Sequence, residues 1–221
     1  MSKRVYKFLS AEHGCNDLKN RRLKISTIGD LNDPFDLCSV DLTDPQIEAA
    51  LEKFIQNFKT NRGLLCFSKN WDNLLLWSHY GASHTGVCLG FEIPDDQPDG
   101  GYDMDVRYQP NLLQARPKDV NEDFVDKLLR TKHESWSYEQ EVRLFVGLND
   151  SPDENGLSWF HFGADLVLKE VIVGAQCELK DNRALAEVLK SYGSTVECSW
   201  SSMRKDSFRL VRLNSPPSWL S

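Results

Sequence analysis

Four short apolar runs constrain this chain most: "GLLCFS" (Gly63–Ser68), "TGVCLGFEI" (Thr85–Ile93), "EQEVRLFVG" (Glu139–Gly147) and "LVLKEVIVG" (Leu166–Gly174). Each is shorter than a core helix and largely apolar, the pattern of a largely buried strand. Shorter strand patterns fall at Arg4–Phe8, Leu23–Ser26, Asp103–Tyr108, Leu157–Phe162, Thr195–Trp200 and Phe208–Leu213. Helical periodicity is confined to fewer stretches. Thr43 or Asp44 caps one helix with Pro45 in its first turn, and Ile47, Ala50, Leu51, Phe54, Ile55 and Phe58 make its apolar stripe. "WDNLLLWSHYGAS" (Trp71–Ser83), with Gly81 as a candidate end, Glu122–Lys132 and Cys177–Tyr192 predict three more. Strands outnumber helices and only part of the chain alternates them, which predicts an α+β fold with a mixed, largely antiparallel sheet.

A chain of 221 residues, 40% of them hydrophobic, can bury one sizeable core, so a single domain over residues 1–221 is expected, with a loosely held tail at 214–221. "PDDQPDGG" and "SPDENG" read as turn-rich loops. The formal charge of -7 argues against general nucleic-acid binding through phosphate neutralisation; the basic runs "KNRRLK" and "MRKDSFRLVR" read as solvated faces. Six cysteines lie far apart, several inside apolar runs, which suits buried reduced thiols better than a disulfide frame or a zinc site. No apolar leader and no membrane-span length stand out, so a cytoplasmic protein is expected.

Several common sites are absent: no Gly-x-Gly-x-x-Gly, no Gly-Lys-Ser/Thr phosphate loop and no Gly-x-Ser-x-Gly. The five histidines show no metal-binding spacing, so no metal ligands are assigned. "LNDPFD" (Leu31–Asp36) reads either as a turn that binds its own backbone through Asn32, Asp33 and Asp36, or as the rim of a ligand pocket or cation site. "SWSYEQEVRLF" places Glu139, Glu141 and Arg143 at every second position of a strand pattern, in a row that is either a solvated charge ladder or a site. On the predicted helix before "GVCLGFE", Trp77 and Tyr80 fill a core or stack on a ligand, and His79 is exposed or takes part in ligand contact or proton transfer.

The ordered set "VYKF", "NDPFD", "CFS", "LLWSHYG", "GVCLGFE" and "WSYEQEVRLF" resembles a widespread bacterial family of uncharacterised domains. A more distant resemblance is to ADP-ribosyltransferases, through Tyr6 and Lys7 on the first strand, Ser68 in the middle and Glu139-x-Glu141 before an apolar strand. Lys7 stands where that family has Arg or His, and Ser68 lacks its Ser-Thr-Ser context. The resemblance implies a split sheet and an NAD-consuming transferase, of the kind used as bacterial toxins or phage-defence effectors. Glu141 would stabilise an oxocarbenium-like state as nicotinamide leaves, and Glu139 would orient or deprotonate an acceptor, itself a protein, a nucleic acid or a small molecule. Tyr6, Lys7, Ser68, Trp77, His79 and Tyr80 would hold NAD. Two other readings stand beside it: a non-catalytic module that senses a nucleotide-like small molecule or binds a partner, and a metal-dependent hydrolase or nuclease using Asp33, Asp36, His79 and a glutamate around a divalent ion.

Overall fold

The apolar runs fold as strands in the computed structural model, which describes residues 2–36, 38–94, 102–148, 156–178 and 183–215. In chain order the elements open with β1 (Ser2–Leu9), α1 (Ala11–Asn20), β2 (Arg22–Lys24), α2 (Pro45–Asn61) and β3 (Arg62–Ser68). There follow α3 (Leu74–His79), β4 (Val87–Pro94), β5 (Tyr102–Asp105), β6 (Arg107–Gln109), α4 (Glu122–Leu129) and β7 (Thr131–His133). The chain continues with β8 (Glu141–Gly147), β9 (Trp159–His161), β10 (Val167–Val173), α5 (Arg183–Tyr192), β11 (Glu197–Met203) and β12 (Leu210–Leu213). Helices and a mixed, mostly antiparallel sheet make this an α+β fold, as the strand-rich pattern predicts. The chain divides into two compact units, one built from residues 1–23, 67–98 and 160–221, the other from 24–66 and 99–159. The turn-rich segments at 95–101 and 151–155 and the tail from 216 lie outside the described residues.

In the first unit β4 is central: it pairs antiparallel with β1 along their length, Tyr6 opposite Gly90, and antiparallel with β10 on its other edge. β10 then runs parallel to β11, and β12 returns antiparallel beside it. The end of β3 pairs with β1 at Tyr6 and Ser68. Helices α1 and α5 pack together, and the Tyr192 hydroxyl donates to the Leu18 carbonyl at 2.6 Å. α1 has no clear apolar stripe and is not anticipated by periodicity. Its Gly14 lies so close to β4 that a Cβ there would meet Val87 Cγ2 at 2.2 Å, so glycine's cost in helix propensity is offset by tight packing.

In the second unit β3, β8 and β5 are neighbours, with β5 antiparallel to β8. β6 and β7 form a separate parallel pair with Tyr108 opposite Lys132. Asp44 caps α2 by accepting from the Gln46 amide, and Phe58 packs edge-on against Phe145 with Leu64, Met104, Val125 and Leu129 around them.

Among the predicted boundaries that move are three with a clear local reason, while the expected start of the Cys177–Tyr192 helix falls partly at 179–182, outside the described residues. The helix expected over Trp71–Ser83 is α3 alone, because the Asn73 side chain caps its start at Leu75 and Leu76, and Ala82, Ser83 and His84 take positive φ after its end. The helix expected to reach Lys132 stops at Leu129, since Thr131–His133 pair as strand β7. The strand expected from Glu139 starts at Glu141, because residues 134–139 form a 3-10 turn closed by Gln140 at φ 43°.

Trp77 is a core residue of the first unit. It is fully buried, edge-on to Phe8 at 5.2 Å, and its indole N–H donates to the Trp71 carbonyl at 2.7 Å. Trp77→Ala is expected to lower the unfolding free energy by about 3–5 kcal/mol, read from urea denaturation midpoints; a change below about 1 kcal/mol would refute this core role.

Candidate functional site

The row Glu139, Glu141 and Arg143 is not a solvated ladder. Glu141 is 4% exposed and Arg143 is 0% exposed, and Glu139 reaches the same region from the end of the 3-10 turn rather than from the strand face. A guanidinium with no access to water must find acceptors for its donors. Arg143 Nε donates to Glu141 Oε1 at 2.9 Å, Nη1 to the Leu129 carbonyl at 3.0 Å, and Nη2 to Asp36 and to Glu141 Oε2. Lys132, 2% exposed, stands beside it with Nζ 2.8 Å from Glu139 Oε2, 3.4 Å from Glu141 Oε2 and 3.6 Å from Asp36 Oδ2. Three carboxylates thus face two cations, leaving one negative charge in excess.

That imbalance sets the titration of the group. Burial alone would raise the Glu141 pKa, but the charges of Arg143 and Lys132 and the hydrogen bonds from Arg143 and Cys66 outweigh it and hold the carboxyl at about 2. For Asp36 burial prevails over Arg143 and Lys132, with Glu141 adding repulsion, and its pKa rises. The Tyr108 hydroxyl accepts from the Glu141 amide at 2.8 Å, and burial, with the nearby Glu141 and Glu139 charges, pushes its pKa up to about 12.

A cavity of about 520 Å³ opens against this cluster in the second unit, lined by residues 33–35, 39, 109–112, 131–133 and 136. The parallel β6–β7 pair brings 109 and 131–133 together, and the Ser39 hydroxyl, donating toward both the Phe35 and Thr131 carbonyls, fastens the 33–36 turn to β7. Phe35 and Leu112 stand exposed at the rim. Lys132 belongs to both cluster and wall, with Nζ 4.6 Å from the centroid of the Trp136 ring. The turn "NDPFD" does both things its sequence offers. Asp33 Oδ1 accepts from the Phe35 amide at 3.0 Å, a local turn bond, while Asp36 reaches into the buried cluster.

The other candidate residues lie in the first unit. Tyr6 on β1 is buried, with Arg212 Nη2 3.5 Å from its hydroxyl, and Ser68 opposite it is buried with its hydroxyl accepting from the Asn70 amide at 3.2 Å. Lys7, next in the strand, projects to the other face, where its charge acts on Asp17 of α1; burial still pushes the Asp17 pKa up to about 6. Tyr6 and Lys7 therefore do not share a face. Trp77 is enclosed, whereas His79 is exposed at the end of α3 with its ring edge-on to half-buried Tyr80. Among the described residues no group of three His, Cys, Asp or Glu side chains is placed to hold a metal ion, and no helix is long and apolar enough to cross a membrane. Sequence reasoning missed Lys132, assigned to a helix end, and Leu112 and Gln109, which no pattern marks. Trp136 was visible inside "WSYEQEVRLF" but had no assigned role.

Two outcomes test the cluster. Arg143→Met removes the one side chain that joins Asp36, Glu141 and the Leu129 carbonyl, and is expected to cost about 3–5 kcal/mol in thermal or urea unfolding. Arg143→Lys is expected to recover little of it, because an ammonium cannot span those three acceptors. In acid, Glu141 contributes stability that is complete above its ordinary pKa of 4.5 and is lost as pH falls toward about 2. The unfolding free energy from urea titrations should therefore drop between pH 5 and 2.5 by up to about 3 kcal/mol from this group, and by less in Glu141→Gln; equal slopes in both proteins would contradict the assignment.

The model of a family described as "Protein of unknown function (DUF2971)" matches residues 76–144. That span holds Lys132, Glu139, Glu141, Arg143 and the wall of the cavity from 109 to 136, while "NDPFD" and Asp36 precede it. No curated protein and no solved structure matches the chain. Over those residues the chain is similar to this uncharacterised family, which brings no activity with it.

Proposed function

We propose that this chain is a small-molecule-binding protein, a sensing module whose ligand site is the cavity of the second unit. The observation that carries the reading is a preformed concavity of about 520 Å³, in the size range of small-molecule sites, with aromatic and apolar walls. Behind those walls the charges are already paired with one another. Glu141 in particular has both oxygens engaged by Arg143 and Lys132, which suits a rigid support better than a freely reacting group. The ligand class we propose is a flat, nucleotide-like heteroaromatic body, for which Phe35, Pro110, Leu112 and Trp136 supply aromatic and apolar lining.

A second reading, an NAD-consuming transferase acting on a protein or nucleic-acid acceptor, is favoured by one pairing: the Glu139 and Glu141 carboxylates converge on one ammonium. In that reading Lys132 and Arg143 keep Glu141 ionised for the oxocarbenium-like state.

Saturation-transfer NMR with flat heteroaromatic fragments separates the two. Binding by the wild type, weakened about tenfold in Trp136→Ala, supports the sensor; equal signals in both proteins remove the cavity as the site. Incubation with NAD tests the transferase: free nicotinamide from the wild type and none from Glu141→Gln would establish turnover. No release from either protein, with fragment binding intact, leaves the sensor.

A further inference from the structure

The basic run "MRKDSFRLVR" forms the end of β11, the turn over residues 204–209 and most of β12, and its charges divide into two groups. Arg212 on β12 pairs with buried Glu170, and Arg204 donates twice to Asp206, Nε to Oδ1 and Nη2 to Oδ2, at 2.7 Å each. Lys205 and Arg209 are exposed and carry no side-chain hydrogen bond or ion pair among the described residues. The turn itself is braced. The Arg204 amide donates to the Arg209 carbonyl at 2.9 Å, the Arg209 amide to the Ser207 carbonyl at 2.8 Å, and the Ser207 hydroxyl to Asp206 Oδ1 at 3.3 Å.

On this turn Phe208 is 98% exposed, the whole ring left in water between the two uncommitted cations in the chain. A single exposed apolar side chain is ordinary on a protein surface; a fully open ring on a braced turn, flanked by free positive charge, is a more specific combination. It suits single-stranded nucleic acid, where a base stacks on an aromatic ring for about 1–3 kcal/mol and cations take the neighbouring phosphates. A lipid bilayer fits it less well. Sinking Phe208 into hydrocarbon would carry Lys205 and the Arg204–Asp206 pair of the same turn out of water, a cost that one ring does not offset, whereas a base stacks from solvent and leaves those charges hydrated. Duplex nucleic acid keeps its bases stacked on one another and offers the ring no open face without unstacking.

We infer that the β11–β12 turn of the first unit is a contact site for single-stranded nucleic acid, with an unpaired base stacked on Phe208 and phosphates on Lys205 and Arg209. The formal charge of -7 opposes a long electrostatic track along the protein, so the contact is local: a base and the phosphates beside it. The inference does not rest on the small-molecule reading of the cavity, which belongs to the second unit.

Fluorescence anisotropy with a labelled oligothymidylate of about ten nucleotides, titrated over a range of salt concentrations, tests the inference. For the wild type the logarithm of the binding constant is expected to fall against the logarithm of salt concentration with a slope of about -1.4, as two phosphate contacts on a single strand imply. Phe208→Ala is expected to weaken binding about tenfold and leave that slope unchanged, and Lys205→Ala with Arg209→Ala to flatten it toward zero. All three side chains are exposed, so both variants are expected to keep the wild-type urea midpoint. Equal affinity in the wild type and Phe208→Ala overturns the inference, as does a duplex of the same length bound as tightly as the single strand. Absence of oligonucleotide binding by the wild type at low salt also overturns it; binding instead to phosphatidylserine vesicles would make the turn a membrane contact. None of these results bears on ligand binding in the cavity.

Discussion

The buried guanidinium of Arg143 is the constraint on which the second unit depends. A charge in the middle of a strand with no access to water would unfold its surroundings unless each donor had a partner, and here the partners come from three places in the sequence. Glu141 comes from the same strand, the Leu129 carbonyl from the end of α4, Asp36 from the "NDPFD" turn, and Lys132 from β7 balances the carboxylates. Because one planar group fixes all of these, the turn, the helix end and the β6–β7 pair are held in one geometry. The cavity is the space they leave.

The first unit solves a similar problem around a buried carboxylate. Glu170 follows a register shift in β10 and lies across Gly90 of β4, where any Cβ would meet its Cγ at 2.3 Å. Arg4 reaches it at 2.6 Å from β1, and Arg212 from β12, itself lying over the Trp71 ring. Glycine at position 90 is thus a requirement of the ion pairs above it. In both units strands carry charge inward only where a counter-charge arrives from a distant segment, and an inverted or missing partner would leave an ion with no solvent.

Much of the fold was legible because strand patterns depend on local properties. "GLLCFS", "TGVCLGFEI" and "LVLKEVIVG" are apolar runs in lengths that suit strands, and Asp44-Pro45 marks a helix start by capping chemistry alone. The boundaries that moved were settled by single side chains or backbone angles: Asn73 shortening α3, Gln140 in the left-handed region ahead of Glu141, and Thr131–His133 recruited by β6. α1 was invisible because what holds it is its closeness to β4, not its own periodicity.

The site divides in the same way. The sequence by itself determined the strand-rich α+β class, the presence of Glu139, Glu141 and Arg143 at alternate positions, and the turn-forming chemistry of "NDPFD", since these follow from residue type and spacing along a few residues. Only the tertiary structure decided that Arg143 is buried, that Asp36 and Lys132 are its company, and that a cavity opens against them. Each of those depends on segments tens of residues apart meeting out of water, where the energy of a charge is set by which neighbours arrive, and alternation along a strand cannot reveal whether a polar face meets solvent or another charge.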